Sequence, residues 1–251
     1  MRIINLLLRG CLAVRYYAGL GILYLCGEKN CVVCGGITDL LPVCACCFQK
    51  TIADVRLNTK RYLGCGRVLV SEKSVCVLCR SRPSVGNLNS VFPLYNYYLW
   101  ARDLLFIWKM QNNRYFSFVF AKQILAVLQS RFAGIPVVPV PPRPSKIKNS
   151  GWDQVKDISD ILKYRHKMTV LNLLYRSDNS EQKKLGRTER LGRTENRYVW
   201  NSAFKGRIPP SVVLLDDIMT TGATLNECAA ALKSAGVETV HAVTLFTVFN
   251  G

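Results

Sequence analysis

Histidine is nearly absent from this chain: two residues in 251, His166 and His241. Neither lies among the cysteines of the N-terminal half, so a metal ion held there would have no imidazole ligand. His166 ends a basic, helix-like stretch and His241 sits in a strand-like run, and both read as structural. Acids are also scarce, 16 against 34 Lys and Arg, for a formal charge of +18. Such an excess attracts nucleic acid or an anionic membrane without implying base readout, and no segment reads as a base-recognition helix. A long apolar run is missing too. Residues 1–25 form an apolar and basic extension broken by Arg9 and Arg15. The longest clean run at this end of the chain, residues 16–26, is too short to span a bilayer. No small-residue cleavage site marks it as a signal peptide. It reads as a packing or membrane-surface extension, or as the product of an upstream start codon. The expected location is cytoplasmic, with peripheral contact at the inner membrane face as the alternative.

The most informative stretch is Val212-Val213-Leu214-Leu215-Asp216-Asp217-Ile218-Met219-Thr220-Thr221-Gly222-Ala223-Thr224. An apolar run, of the kind buried in a parallel sheet, ends in two acids. A Thr- and Gly-rich loop follows, and Leu225, Cys228, Ala229 and Leu232 then recur at helical spacing until Gly236 stops the pattern. Backbone N–H groups, hydroxyls and a helix dipole converge on one point there, which suits a phosphate. Two acids beside such a cradle suit the hydroxyls of a sugar phosphate. Further strands are expected at residues 135–140 and 240–246, and helices at 95–108 and 114–132. Alternating strands and helices imply an α/β fold with a parallel sheet and its ligand site beyond the carboxyl ends. A second informative segment runs from Val138-Pro139-Val140-Pro141-Pro142 through Arg143, Lys146 and Lys148 to Gly151-Trp152-Asp153-Gln154. Cations leaving the carboxyl end of a strand are well placed for a pyrophosphate.

The Asp-Asp-x-x-Thr-Thr-Gly run resembles the phosphoribosyl-pyrophosphate (PRPP) motif of type I phosphoribosyltransferases. With the Val-Pro-Val-Pro segment, the basic loop and the Gly-aromatic-acid/amide-Gln sequence, the resemblance narrows to the ComF competence family, also called GntX-like or amidophosphoribosyltransferase-like. That family joins a Cys-rich N-terminal zinc module to a C-terminal phosphoribosyltransferase domain. This chain has both in that order, over residues 26–248. It departs at Ser150, where the family has Arg, and at Asp153, where it has Asn. A third stretch with family character, Gln182-Lys183-Lys184-Leu185 leading to Ala203-Phe204, carries a tandem duplication. Residues 185–190 (LGRTER) are followed by 191–196 (LGRTEN). The duplication is too short for a structural array and reads as a lengthened surface loop.

By resemblance, Asp216 and Asp217 hold the ribose hydroxyls directly or through Mg²⁺, and Thr220, Thr221, Gly222, Ala223 and Thr224 cradle the 5′-phosphate. Arg143, Lys146 and Lys148 face the pyrophosphate. Purine-salvage relatives carry a third acid where this chain has Thr220, and Thr220 cannot act as a base at neutral pH. No N-terminal nucleophilic Cys of the amidotransferase kind is present. The chain thus offers a PRPP site without an obvious acceptor site.

Ten of the 11 cysteines lie in the first 79 residues, Cys228 being the exception. Cys31, Cys34, Cys44 and Cys47 make two Cys-x-x-Cys pairs suited to one tetrahedral Zn²⁺. Cys65, Cys76 and Cys79 make a degenerate or three-thiolate second site, because Tyr62 stands where a pairing Cys would be. Cys46 could replace a neighbour. Disulfides or buried free thiols are the alternatives, but PRPP is a cytosolic metabolite and disulfides need an oxidising compartment. The expected organisation is an extension (1–25), a zinc module (26–80), a linker (81–92) and a phosphoribosyltransferase-like domain (93–251). Three functions fit. One is a competence protein that handles single-stranded DNA with other competence proteins. Another is an active phosphoribosyltransferase on an unidentified acceptor, and the third a PRPP sensor without turnover.

Overall fold

The computed structural model describes residues 10–18, 21, 25, 30–38, 41–53, 60–68, 76, 79, 86–97, 99–143, 151–177 and 197–248. Its centre is a four-stranded sheet in the order β1 (Ser90–Asn96), β6 (Thr239–Thr247), β5 (Ser211–Met219) and β2 (Val137–Pro139). All neighbours are parallel, with Asp216 opposite Thr244 and Val137 opposite Val213. A parallel sheet is stable only when both faces are covered. Strand β5 accordingly sends Val213 and Leu215 to one core and Val212 and Leu214 to the other.

The first core packs under α1 (Trp100–Met110), α2 (Tyr115–Arg131) and α3 (Gln154–Asp160), the last widening into a π-type turn over Ile161–Arg165. Helix α2 is apolar nearly all round, as a helix enclosed on most sides must be. Its Phe116 and Phe120 are buried, and Phe120 meets Trp108, Tyr95 and Phe246 edge to face or tilted. A buried polar chain links the helices. Trp108 Nε1 donates to Ser117 Oγ at 3.0 Å, and Ser117 donates to Asp157 at 3.2 Å. Asp157 also pairs with Arg15, which docks the helical stretch 10–18 of the N-terminal extension onto α3. No described helix is long and apolar enough to cross a membrane.

The second core lies under α4 (Ala223–Ser234) and an antiparallel ribbon of β3 (Leu174–Arg176) and β4 (Tyr198–Trp200). The expected strands and the helices at 114–132 and 223–235 match these elements closely. The aromatic run at 95–108 differs. Tyr95 and Asn96 complete β1, where Tyr95 packs on Phe246, and the helix starts only at Trp100. Residues 90–92, expected as the end of a linker, likewise lie in β1. Before them Leu88 is buried and Asn89 exchanges hydrogen bonds with Val240 at 2.8 and 2.9 Å, so residues 88–89 are docked on the sheet.

Both sheet edges are covered, which removes the unpaired strands that invite aggregation. Thr169 and Leu171 pair with Val137 at the β2 edge, each at 2.9 Å. At the β1 edge, Val91 N–H donates to Leu63 O at 2.8 Å. There Arg61 Nη1 donates to Gly66 O and Pro93 O at 3.0 and 3.2 Å, while its guanidinium lies 4.4 Å from the Phe92 ring. Gly66 makes this approach possible. Its φ is +75°, and a Cβ there would sit 2.0 Å from Pro93 Cδ and 2.6 Å from Val91 O. Gly66→Ala is expected to cost about 2 kcal/mol or more, from backbone strain plus overpacking. Chemical denaturation of the full chain checks this, and an unchanged midpoint would mean that the segment is not docked on β1.

Candidate functional site

The carboxyl end of β5 carries the two acids to opposite faces of the sheet, as strand alternation requires. Asp217 turns toward the α1 side, where it is buried and ion-paired with Lys109 in the last turn of α1. Asp216 turns toward α4 and β4. Its Oδ1 accepts from the Asp217 N–H at 2.8 Å. Burial first, and then the charge of Asp217, push the Asp216 carboxyl well above its ordinary value. The Asp217 N–H and Lys109 pull the other way without cancelling the effect.

Thr220 and Thr221 are exposed in the loop that follows. Gly222 is buried with φ +79°, a left-handed turn that swings the chain from β5 into α4. Ala223 N–H lies 3.4 Å from Thr221 Oγ1, and the first intrahelical bond runs from Asn226 N–H to Gly222 O at 2.9 Å. The first-turn N–H groups therefore point out of the helix toward the space beyond Asp216. Carboxylate, hydroxyls and helix N-terminus converge on one place, a geometry that can take a phosphorylated polyol.

The loop after β2 leaves the sheet beside this place, since Pro139 pairs with Leu215. Arg143 is exposed at its described end, while Lys146 and Lys148 lie outside the described residues. Beyond them Gly151 has φ +67°, Trp152 is buried, and Asp153 caps α3 by accepting from Lys156 N–H at 2.9 Å. Asn and Asp cap helices equally well, so Asp153 in place of Asn leaves this part of the frame intact. A cavity of about 310 Å³ opens on the flank of β2, lined by Pro141, Pro142, Asp153, Lys156, Lys163 and Tyr164 among others. Neither acid of β5 nor the Thr-rich loop lines it. The paired acids and the start of α4 meet instead at the β5 loop.

Residues 151–249 match the family model described as phosphoribosyl transferase domain. The chain is ComF-like, with a domain of phosphoribosyltransferase type. It is 28% identical over 152 residues to "Competence protein ComFC" of Streptococcus pneumoniae (strain ATCC BAA-255 / R6), a match covering 61% of this chain and 66% of that protein. The chain thus spans just under two thirds of that relative's length.

In this ComF-like chain several neighbours of the site had no signal in sequence. Lys109 is one, distant from Asp217 along the chain. Another is the pair Arg176 and Tyr198 of the β3–β4 ribbon. Arg176 Nη1 donates to the Tyr198 hydroxyl at 2.8 Å, and Tyr198 also hydrogen-bonds Thr224. Burial chiefly raises the Tyr198 phenol above its usual value. The duplicated segment 185–196 and Gln182–Leu185 lie outside the described residues, but the ends of their loop are tied. Ser177 N–H donates to Arg197 O at 3.0 Å, and Arg197 forms a two-pronged ion pair with Glu227 of α4. The histidines serve packing: Ser90 Oγ meets His241 Nδ1 at 2.7 Å, and His166 ends the turn after α3.

The cysteines form two groups that could hold a metal ion. The sulfurs of Cys31, Cys34, Cys44 and Cys47 lie within 4.8 Å of one another. Cys34 and Cys44 are 3.9 Å apart, close to the ~3.8 Å edge of a tetrahedron with Zn–S of about 2.3 Å. Burial works to raise the Cys31 thiol, but hydrogen bonds from the backbone at Cys44, Cys34 and Val33 outweigh it and bring it down to about 6. Cys47, sharing a hydrogen bond with Cys44, is pushed up to about 12. Cys46 is exposed and belongs to neither group. The first group continues through the turn Phe48–Ala53 to Ile52, fully buried, whose carbonyl accepts from the Tyr95 hydroxyl at 2.6 Å. Cys65, Cys76 and Cys79 form the second group.

A carboxyl raised on folding holds a proton that the unfolded chain has released. Stability is therefore lost as pH rises from the ordinary carboxylate range toward the raised folded value. Asp216→Asn removes that loss. At pH 7 it is expected to stabilise the ligand-free chain by roughly 1 kcal/mol, or about 2–4 °C in Tm. The difference should close as pH falls toward 3, below the ordinary carboxylate value of about 3.9, where Asp216 is mostly neutral in both states. Thermal melts at the two pH values check this; an equal or lower Tm at pH 7 contradicts it.

Proposed function

We propose that the β5 loop binds PRPP with Mg²⁺ and that the protein works in natural competence. The observation that carries this is Asp216 beside the open first turn of α4, at the carboxyl end of a parallel sheet of phosphoribosyltransferase type. Asp216 takes a ribose hydroxyl, and Asp217, held by Lys109, completes the acidic pair. Residues 220–224 receive the 5′-phosphate. Arg143, Lys146 and Lys148 lie on the pyrophosphate side. The hard carboxylate oxygens of Asp216 and Asp217 would hold Mg²⁺, which would supply positive charge to offset that developing on the leaving group. Cys31, Cys34, Cys44 and Cys47 hold a structural Zn²⁺, since four thiolates leave no open position.

The competence reading comes from the ComFC relative and from the charge of +18, which suits single-stranded DNA. Partner competence proteins, a cytoplasmic location and peripheral contact with the inner membrane face go with it. A second reading, an active phosphoribosyltransferase on an unidentified acceptor, is favoured by the complete Asp-Asp-x-x-Thr-Thr-Gly-Ala-Thr loop.

Calorimetric titration of the full chain with PRPP and Mg²⁺ is expected to show binding that Asp216→Ala with Asp217→Ala abolishes. Unchanged binding in the variant would refute the site. Pyrophosphate release on adding an acceptor would favour the transferase reading. Single-stranded DNA affinity should fall steeply with salt, about 0.7 in log–log slope for each phosphate neutralised. A flat response would remove the DNA argument.

A further inference from the structure

The two cysteine groups are built on the same turn, and one ligand has been lost from the second. In the first, Gly35 N–H donates to Cys31 O at 2.8 Å, Cys31 N–H donates to Gly36 O at 2.7 Å, and Asn30 bridges Ile37. In the second, Gly66 N–H donates to Tyr62 O at 2.7 Å, Tyr62 N–H donates to Arg67 O at 2.9 Å, and Arg61 bridges Val68. Gly35 and Gly66 have φ of +73° and +75°. The turns therefore correspond residue by residue: Tyr62 to Cys31, Cys65 to Cys34 and Gly66 to Gly35. The backbone of a thiolate turn persists at Tyr62, and only the first sulfur is missing.

The other three sulfurs remain gathered. Cys65, Cys76 and Cys79 lie within 4.8 Å of one another, the first two buried and the third half-buried. The Tyr62 ring folds over Gly64, so close that a Cβ on Gly64 would sit 2.7 Å from its Cε1. The turn itself is fastened to β1 through Leu63 and Gly66. Cys65 is thus held at the sheet edge by its own turn, and Cys76 and Cys79 are joined by a hydrogen bond from Cys79 N–H to Cys76 O at 3.0 Å.

We infer that Cys65, Cys76 and Cys79 form an exchangeable three-thiolate site for a thiophilic divalent ion such as Zn²⁺, with its fourth position open to a ligand from outside the cluster. Four protein ligands close a zinc site, whereas three leave a coordination position for water or an added ligand. An ion with an open position leaves by associative exchange, because an incoming chelator can bind before the protein thiolates let go. The same chain then carries one closed ion, tied through Ile52 to the core, and one labile ion at the sheet edge.

The test uses the full chain purified under reducing conditions and loaded with Zn²⁺. Two ions per chain are expected. One should pass quickly to a colorimetric zinc chelator without change in circular dichroism, and the other should be held at least tenfold longer. Cys79→Ser should abolish the fast pool and spare the slow one. Tyr62→Cys should restore the fourth thiolate and turn the fast pool slow. With Co²⁺ in place of Zn²⁺, added imidazole should change the visible spectrum of the wild-type chain but not of Tyr62→Cys. A single ion in the loaded wild-type chain would overturn the inference. So would a fast pool that survives Cys79→Ser, or release and spectra that Tyr62→Cys leaves unchanged.

Discussion

Two carboxylates side by side at the end of a buried strand repel each other, and the pairing of Asp217 with Lys109 is what makes the arrangement tolerable. Strand alternation sends the acids to opposite faces, so only one of them can be neutralised from α1. Asp216 is left on the α4 side with burial and a neighbouring charge working against its ionisation. A ligand that brings Mg²⁺ and hydroxyls supplies what Asp216 lacks. Under the proposed function, such a ligand would offset the cost of ionising Asp216 when it binds.

The same sheet ties the rest of the chain to the site. Its outer strands are both protected, β2 by residues 169–171 and β1 by the turn around Gly66. The first cysteine group reaches the core through Ile52 and Tyr95. The N-terminal helical stretch docks by Arg15 on Asp157, which closes the polar chain from Trp108. The first cysteine group, the N-terminal helical stretch and the α1–α3 side of the sheet share one of the two hydrophobic cores, so disturbing that cysteine group would be felt at β1 and not only in its own loops.

Much of this was legible in sequence, for identifiable reasons. Residues 212–224 combine an apolar run, paired acids, a Thr-Gly loop and a helical repeat, and each of these is a local signal. The cysteine groups were legible because knuckle spacing is local too, and the odd residue at Tyr62 could be seen by comparing the pairs. What was not legible depended on contacts across the chain. Lys109 reads as a helix-terminal cation until the fold sets it against Asp217. Tyr95 looks like the start of a helix because aromatic residues suit both states, and only its packing on Phe246 and its bond to Ile52 decide for a strand. Asp153 reads as a departure from a motif, and the structure gives it the capping role that Asn would also fill.

The central claim is that the carboxyl end of β5 is a phosphoribosyl site. A crystal structure of the full chain grown with PRPP and Mg²⁺ tests it most directly. The account predicts the ribose against Asp216, the 5′-phosphate on the first turn of α4, and the pyrophosphate toward the loop that follows β2. PRPP seated in the cavity on the flank of β2, or absent at saturating concentration, would contradict it.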